Sequence, residues 1–213
     1  MGSKTSVVIA GLGEVGKPLF ELISKFHSTV GVDISPPSSL PSQVDVLHVC
    51  FPFEIKDFVG EAARYIDLFS PQLTVINSTV GVGITRAIAE RTGAQVVNSP
   101  VRGKHVRMLE ELSHYTKFIG ALNPSTGEAA AQHFQSVGLK TKVLATPEAS
   151  ELAKLIETTY FGVLVFIEHR HFALASPAPE HLHSAILPSD YVNCSVFLGE
   201  VPEHCKGYIP GNP

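Results

Sequence analysis

The stretch "TSVVIAGLGEVGKPLFELISKF", residues 5–26, constrains the fold of this chain more than any other. Thr5–Ala10 is a short β-branched run that reads as a buried parallel strand. Gly11, Gly13 and Gly16 follow at the spacing G-x-G-x-x-G, and Val15, Leu19, Leu22, Ile23 and Phe26 then form an apolar stripe at helical spacing. Pro18 falls in the first turn, where its missing N–H breaks no helical bond. A glycine triplet alone is weak evidence, but strand, glycine turn and helix in this order form the cradle that a dinucleotide needs. Gly11 permits the tight turn, Gly13 lets a pyrophosphate approach the backbone, and Gly16 lets the helix pack on the strand. The N–H groups of the helix start then face the phosphates, with Leu12, Glu14 and Val15 completing the turn.

The motif also requires an acid about 20 residues on, at the end of a second strand. "STVGVDIS" supplies Asp33. A carboxylate there accepts from both ribose hydroxyls and repels a 2′-phosphate, which favours NAD over NADP. The alternative reading of Asp33 is an aspartate that caps its own loop.

Strands and helices alternate along the rest of the first 146 residues. "VDVLHVCFPF", "LTVINST", "AQVVNSPV", "TKFIGAL" and "TKVLAT" read as further strands, seven in all. "FVGEAARYIDLFS", "GITRAIAERTG", "RMLEELSHY" and "STGEAAAQHFQSVG" read as helices, the last capped by Ser125 and stopped at Gly138. "SPPSSLPSQ" (35–43) is too rich in proline for a long helix, so the second crossover is a loop or a single turn. The pattern predicts an α/β fold with a doubly wound, mostly parallel sheet over residues 1–146. Residues 147–175 read as one long helix that bends or stops near Gly162, and its apolar stripe predicts a dimerisation element. Residues 176–213 hold six prolines and no sustained period, and read as turns and coil.

Composition narrows the functional classes. A net charge of −4 gives no reason to expect a nucleic acid or an acidic membrane as partner. No apolar run approaches the ~20 residues of a membrane span, and the N-terminus lacks the basic region and apolar core of a secretory signal. Gly2 and Ser6 fit a myristoylation pattern, but the sequence runs at once into an apolar strand, so we read the match as chance. Cys50, Cys194 and Cys205 are too few for a disulfide framework, which points to the cytoplasm. His169, His171, His181, His183, His204, Cys194 and Cys205 crowd the C-terminal region, but their spacing matches no closed zinc site, so no metal is expected.

"GLGEVGKPL", "GVD", "VCFP", "INSTVGVG", "NSPVRG" and "SELAKLIETTY" occur in the order of the signature segments of a known group. Over residues 5–165 the chain resembles the 6-phosphogluconate / 3-hydroxyisobutyrate dehydrogenase-like superfamily, which includes the UDP-glucose and GDP-mannose dehydrogenases. "NSTVGVG" is more similar to the nucleotide-sugar branch and "SPVRG" to the β-hydroxyacid branch. The resemblance implies an NAD-binding N-terminal domain and hydride transfer from a substrate alcohol. It implies that Pro52 lies against the riboses, and that Ser78 and Thr79 approach the nicotinamide end. Ser99, Pro100, Arg102 and Gly103 correspond to the substrate loop, where Arg102 suits a carboxylate or phosphate; a surface arginine paired with Glu110 or Glu111 is the other reading. Lys154 corresponds to the catalytic lysine that polarises the alcohol oxygen or takes its proton.

Three departures bear on catalysis. Thr158 stands where the family has asparagine, one turn after the lysine, and offers a hydroxyl in place of an amide's paired donor and acceptor. Val101 stands where nucleotide-sugar dehydrogenases have glutamate. "EHCKGYIPGNP" is only faintly similar to their cysteine segment, which leaves Cys205 a poor nucleophile candidate. Relatives also carry a second domain that closes the site and dimerises. Two functions are therefore expected as alternatives: an NAD-dependent oxidoreductase acting on a hydroxyacid or sugar nucleotide as a homodimer, or a truncated or degenerate NAD-binding module that acts through partner binding.

Overall fold

The computed structural model describes residues 4–33, 41, 43–101, 112 and 114–175, with 161 and 164–175 as helix backbone. The chain divides into two compact units, Met1–Lys154 and Leu155–Pro213. The predicted helix "RMLEELSHY" and the loop 35–43 fall largely outside the described residues, and the 176–213 region falls outside them entirely.

The first unit runs β1 (Ser6–Ala10), α1 (Gly16–Ile23), β2 (Ser28–Val32), β3 (Val46–Val49), α2 (Phe58–Phe69), β4 (Leu73–Ile76), α3 (Ile84–Thr92), β5 (Val96–Asn98), β6 (Lys117–Ala121), α4 (Pro124–Ser136) and β7 (Thr141–Leu144). The last helix, α5 (Pro147–Ala175), begins in this unit and continues unbroken past Gly162, where a bend or stop was predicted. All seven predicted strands lie in one sheet of order β2-β1-β3-β4-β5-β6-β7. From β1 the chain winds to β2, then crosses back to β3 on the other side of β1. Strand order thus reverses between β1 and β3, and ligands of such sheets bind at that reversal, beyond the carboxyl ends of the strands.

Strand residues alternate between two cores, as a sheet covered on both faces requires. Val7, Ile9, Val46, Val75, Val97 and Ile119 pack with Leu19 and Ile23 of α1 and Phe134 of α4. Val8, Ala10, Leu47, Ile76 and Val96 pack with Phe58 and Ile66 of α2 and Ile88 of α3 on the other face. Each such large side chain contributes about 1.5–3 kcal/mol of transfer free energy.

One pair departs from the parallel pattern. β5 and β6 are antiparallel, with Asn98 opposite Gly120. The chain leaves β5 and re-enters the sheet at the same edge, which puts Lys117, the first residue of β6, beside the end of β5. Among the described residues no helix is long and apolar enough to cross a membrane.

The helix starts are satisfied in different ways. Asp57 caps α2 by accepting from the Gly60 N–H at 2.8 Å. Asn123, not the predicted Ser125, caps α4: it accepts from the Thr126 N–H at 2.9 Å, while the Ser125 hydroxyl donates to Asn123 Oδ1. Pro124 takes the first helical position, so the cap lies one residue ahead of the proline. The start of α3 is received by a side chain from α5: Glu151, 1% exposed, accepts from the N–H groups of Gly83 at 2.6 Å and Thr85 at 2.8 Å. Arg86 and Glu148 add an ion pair between the same helices, but both are partly exposed, and such pairs contribute little. The buried carboxylate is what fixes α5 to α3.

Candidate functional site

Backbone register brings the ends of β1, β3, β4 and β5, from which the glycine turn, Pro52, Ser78–Thr79 and Ser99–Pro100 follow, to one edge. Ala10 pairs with Val49, Val49 with Ile76, and Ile76 with Asn98, so the chain leaves β1, β3, β4 and β5 side by side. The ladder then continues past the strands. Gly11 N–H donates to Val32 O, Cys50 N–H to Ala10 O, Asn77 N–H to Val49 O, and Ser99 N–H to Ile76 O, each at 2.8 Å. Val101 N–H donates to Asn77 O at 3.2 Å. The segments 11–16, 50–52, 77–79 and 99–101 therefore share a rigid rim.

The glycine turn has the geometry that its spacing predicts. Gly11 has φ +91°, and a Cβ there would lie 2.7 Å from the Phe51 nitrogen. A Cβ on Gly16 would collide with the Gly11 carbonyl oxygen and crowd Cys50 Cβ. Gly13 differs from both: no atom of the described residues lies within 4 Å of its added Cβ, and its φ is outside the left-handed region. The fold therefore needs glycine at 11 and 16 for its own packing, whereas at 13 glycine leaves open space above the helix start. Leu12 packs its methyls against Gly31 of β2, and Glu14 is exposed. α1 has Val15 at its cap position, with no side-chain cap, whereas α2 and α4 are capped by Asp57 and Asn123; nor has α1 an acid in its first turn. An uncapped helix start under an open glycine fits an anionic diphosphate.

Around this turn, Asp33 is exposed just beyond β2, and Pro52 is exposed just beyond β3. Ser78 is buried, and its hydroxyl donates to the Phe51 carbonyl at 2.6 Å; Thr79 is the exposed member of the pair. Ser99 and Pro100 are buried, with the Ser99 hydroxyl donating to Phe118 O at 2.8 Å. Arg102 and Gly103 lie outside the described residues. Lys154 is half-buried at the end of the first unit, and Thr158 belongs to the second.

The rim also holds groups that the sequence reading passed over. Lys117 is 4% exposed, and its ammonium donates to Ser99 O at 2.6 Å and to Pro100 O and Asn77 Oδ1 at 3.3 Å. Burial pushes this ammonium down to about 7; Cys50 opposes that shift, and the charge of Lys154 adds to it. Burial likewise pushes the Cys50 thiol up to about 12. His48, fully buried in β3, lies 2.9 Å from His133 and 3.1 Å from Asn77 Nδ2. Desolvation holds His48 well below its ordinary range and takes His133 to about 4, so both rings are neutral. The signal was present in the sequence: one histidine inside "VLHV" and one lysine opening "KFIGA" interrupt otherwise apolar strands. A buried lysine needs oxygen partners, and only the reversed direction of β6 reveals where they are.

No protein-family profile matches the chain. No curated protein matches its sequence. Solved structures do match. UDP-N-acetyl-mannosamine dehydrogenase from Staphylococcus aureus superposes with a TM-score of 0.62 at 20% identity, over 73% of this chain and 51% of that one. The Mycobacterium tuberculosis 3-hydroxyisobutyrate dehydrogenase, solved with L-serine, gives 0.63 at 19% identity, over 81% and 65%. GDP-mannose dehydrogenase from Pseudomonas aeruginosa gives 0.59 at 18% identity, over 75% and 50%. The chain spans about half the length of the two sugar-nucleotide enzymes. At these identities the likeness establishes fold: the chain is built on the α/β Rossmann-type architecture of nucleotide-sugar and hydroxyacid dehydrogenases.

Proposed function

We propose that this chain binds NAD and belongs to an oxidoreductase of the nucleotide-sugar / β-hydroxyacid dehydrogenase type, transferring hydride from a substrate alcohol to the nicotinamide. The observation that carries the reading is the uncapped start of α1 beneath the open space at Gly13, flanked by two glycines that the packing itself demands. In this reading Gly11–Gly16 bind the pyrophosphate, and exposed Asp33 receives the ribose hydroxyls and favours NAD over NADP. Pro52, Ser78 and Thr79 line the path toward the nicotinamide. When bound, NAD supplies the hydride acceptor. The chain's own part is to hold the substrate at Ser99–Gly103, with Arg102 on its carboxylate or phosphate, and to manage the alcohol proton at Lys154 Nζ.

The reading includes a cytoplasmic homodimer. Leu152, Tyr160 and Val163 of α5 are each about half exposed, which supports a self-associating face. A monomer in sedimentation equilibrium would count against it.

The experiment is a fluorescence titration with NADH and NADPH, followed by absorbance assays at the reduced-cofactor band with β-hydroxyacids and UDP- and GDP-sugars. NADH binding with turnover on one substrate class supports the enzyme. A second reading, an NAD-loaded module without turnover that acts through partner binding, is favoured by Thr158 in place of asparagine. Tight NADH binding without turnover on any substrate selects it. Failure to bind either cofactor overturns both.

A further inference from the structure

The amino ends of the strands open on a hollow that the proposed cofactor edge does not use. It is a cleft of about 690 Å³ within the first unit, lined where Asp45, Gln72 and Gln95 lead into β3, β4 and β5 and where α4 contributes His133. The glycine turn follows the carboxyl end of β1, so the cleft lies at the opposite edge of the sheet.

His133 is a buried member of this lining, 7% exposed, and the hydrogen bonds behind it fix which nitrogen carries its proton. Asn77 accepts from Lys117 on Oδ1 and gives its Nδ2 hydrogens to Val75 O at 3.2 Å and His48 Nδ1 at 3.1 Å. His48 Nδ1 therefore accepts, and the proton of that ring lies on Nε2. It faces His133 Nε2 at 2.9 Å, which must accept in turn. A second proton there would meet the first, so His133 is neutral and carries its proton on Nδ1. No described residue accepts from Nδ1, and the cleft is the space left to it. His27 stacks on this ring with 5.5 Å between centroids and is held by Ser136 at 2.8 Å, which fixes the direction of the donor.

The amides around His133 are oriented by their own partners. Gln95 Oε1 accepts from the Thr126 hydroxyl and from Asn123 Nδ2, which leaves its Nε2 hydrogens to donate. Gln72 Nε2 donates to Asp45 Oδ1 at 3.0 Å, which leaves its Oε1 to accept. Asp45 Oδ2 takes the Ser6 N–H at 2.7 Å, and both carboxylate oxygens keep a lone pair. The cleft thus offers N–H donors beside amide and carboxylate acceptors, and no lysine or arginine lines it. An anion would meet Asp45 without a counter-charge, and a cation would leave the donors unmatched. A hydroxyl both accepts and donates, so neighbouring hydroxyls match the set.

We propose that this cleft binds an uncharged polyol of monosaccharide size. His133 Nδ1 and Gln95 Nε2 donate to its hydroxyls, and Gln72 Oε1 and Asp45 accept from them. The volume falls in the range of small-molecule sites, roughly 300–1,000 Å³. Asn77 and His48 are positioning residues, since they set the tautomer that His133 presents. The site does not rest on the dehydrogenase reading.

The test is nitrogen-15 NMR of the histidine rings in the full chain, followed by titration with D-glucose, D-galactose and myo-inositol. His133 is expected with its proton on Nδ1, the tautomer that free histidine disfavours. Four hydrogen bonds set a dissociation constant on the order of 1 mM, read as a saturable shift of His133 Nδ1 with at least one polyol. Gln95→Met and Gln72→Met each remove one of them from an exposed side chain and should weaken that polyol about three- to tenfold. Inorganic phosphate and uridine probe for an anion and for a flat base. A His133 proton on Nε2, no saturable polyol shift at about 100 mM, tighter binding of phosphate or uridine, or variants that bind like wild type each overturn the site. NADH added to the polyol-saturated protein should leave the shift in place, and displacement overturns a separate cleft. Failure of NADH to bind overturns the dehydrogenase and leaves the cleft standing.

Discussion

Alanine at Gly13 and alanine at Gly11 should fail in opposite ways, and the contrast tests whether the turn is built for a ligand. At Gly11 the backbone has φ +91° and the new Cβ would sit 2.7 Å from the Phe51 nitrogen. The left-handed conformation alone costs a non-glycine residue about 1–2 kcal/mol, and the overlap adds to that, so about 2 kcal/mol or more is expected. For a chain of this size, that lowers the melting temperature by roughly 4–8 °C. At Gly13 a Cβ meets nothing within 4 Å among the described residues. The substitution then acts on the unfolded chain, and Gly13→Ala should be as stable as wild type or more stable by about 0.4–1 kcal/mol. The same methyl occupies the space proposed for the pyrophosphate. Losing one or two charge-assisted bonds, each about 1.5–3 kcal/mol, weakens NADH at least about tenfold. Melting curves and NADH fluorescence read the two quantities separately. If Gly13→Ala binds NADH like wild type, or melts as low as Gly11→Ala, the reasoning is refuted.

Four further outcomes follow from the same geometry. Glu151→Gln leaves one of the two α3 N–H groups facing an amide nitrogen, and urea unfolding should show a loss of about 1–3 kcal/mol with an unchanged slope. His133 has a native value near 4 against 6.5 when unfolded, so the unfolded chain binds a proton that the native state refuses. Stability is then full above 6.5 and is lost as pH falls toward 4; His133→Leu should flatten that slope, and an unchanged slope would place the effect elsewhere. Cys50, with its thiol pushed up to about 12, should resist alkylation at mildly alkaline pH until denaturant is added, read by peptide mass spectrometry. Lys154→Met should abolish turnover while NADH binding persists; equal loss of both would remove the lysine from its proposed role.

Much of the fold was legible because its determinants are local. Seven apolar runs, the glycine spacing and the helical stripes each declare themselves within about ten residues, and all seven strands formed where periodicity put them. What escaped depends on direction and partnership. The sequence of "TKFIGAL" is the same whichever way the strand runs, so nothing local placed Lys117 at the rim or predicted its three oxygens. Asn123 and Ser125 are equally good caps by residue type, and the proline at 124, suited to the first helical position, puts the cap at Asn123. Glu151 stands in the first turns of α5, where an acid suits the start of its own helix, yet its carboxylate serves a helix 66 residues earlier in the chain. The glycine turn was readable because its requirements lie in backbone geometry. The His48–Asn77–Lys117 cluster was not, because its meaning lies in who faces whom.

The Glu151 carboxylate also bears on how this site can change over evolutionary time. Glu151 and Lys154 lie within a single turn of α5, and the glutamate is clamped to the start of α3, which follows directly from the Ser78–Thr79 strand end. The lysine is thereby registered against the sheet from beneath, by a contact with no exposed member. Loops at the rim can lengthen, shorten or exchange side chains without moving that reference point. If Lys154 handles the proton as proposed, this clamp holds it in place while the rim varies, and mutational intolerance is expected at Glu151, which is 1% exposed.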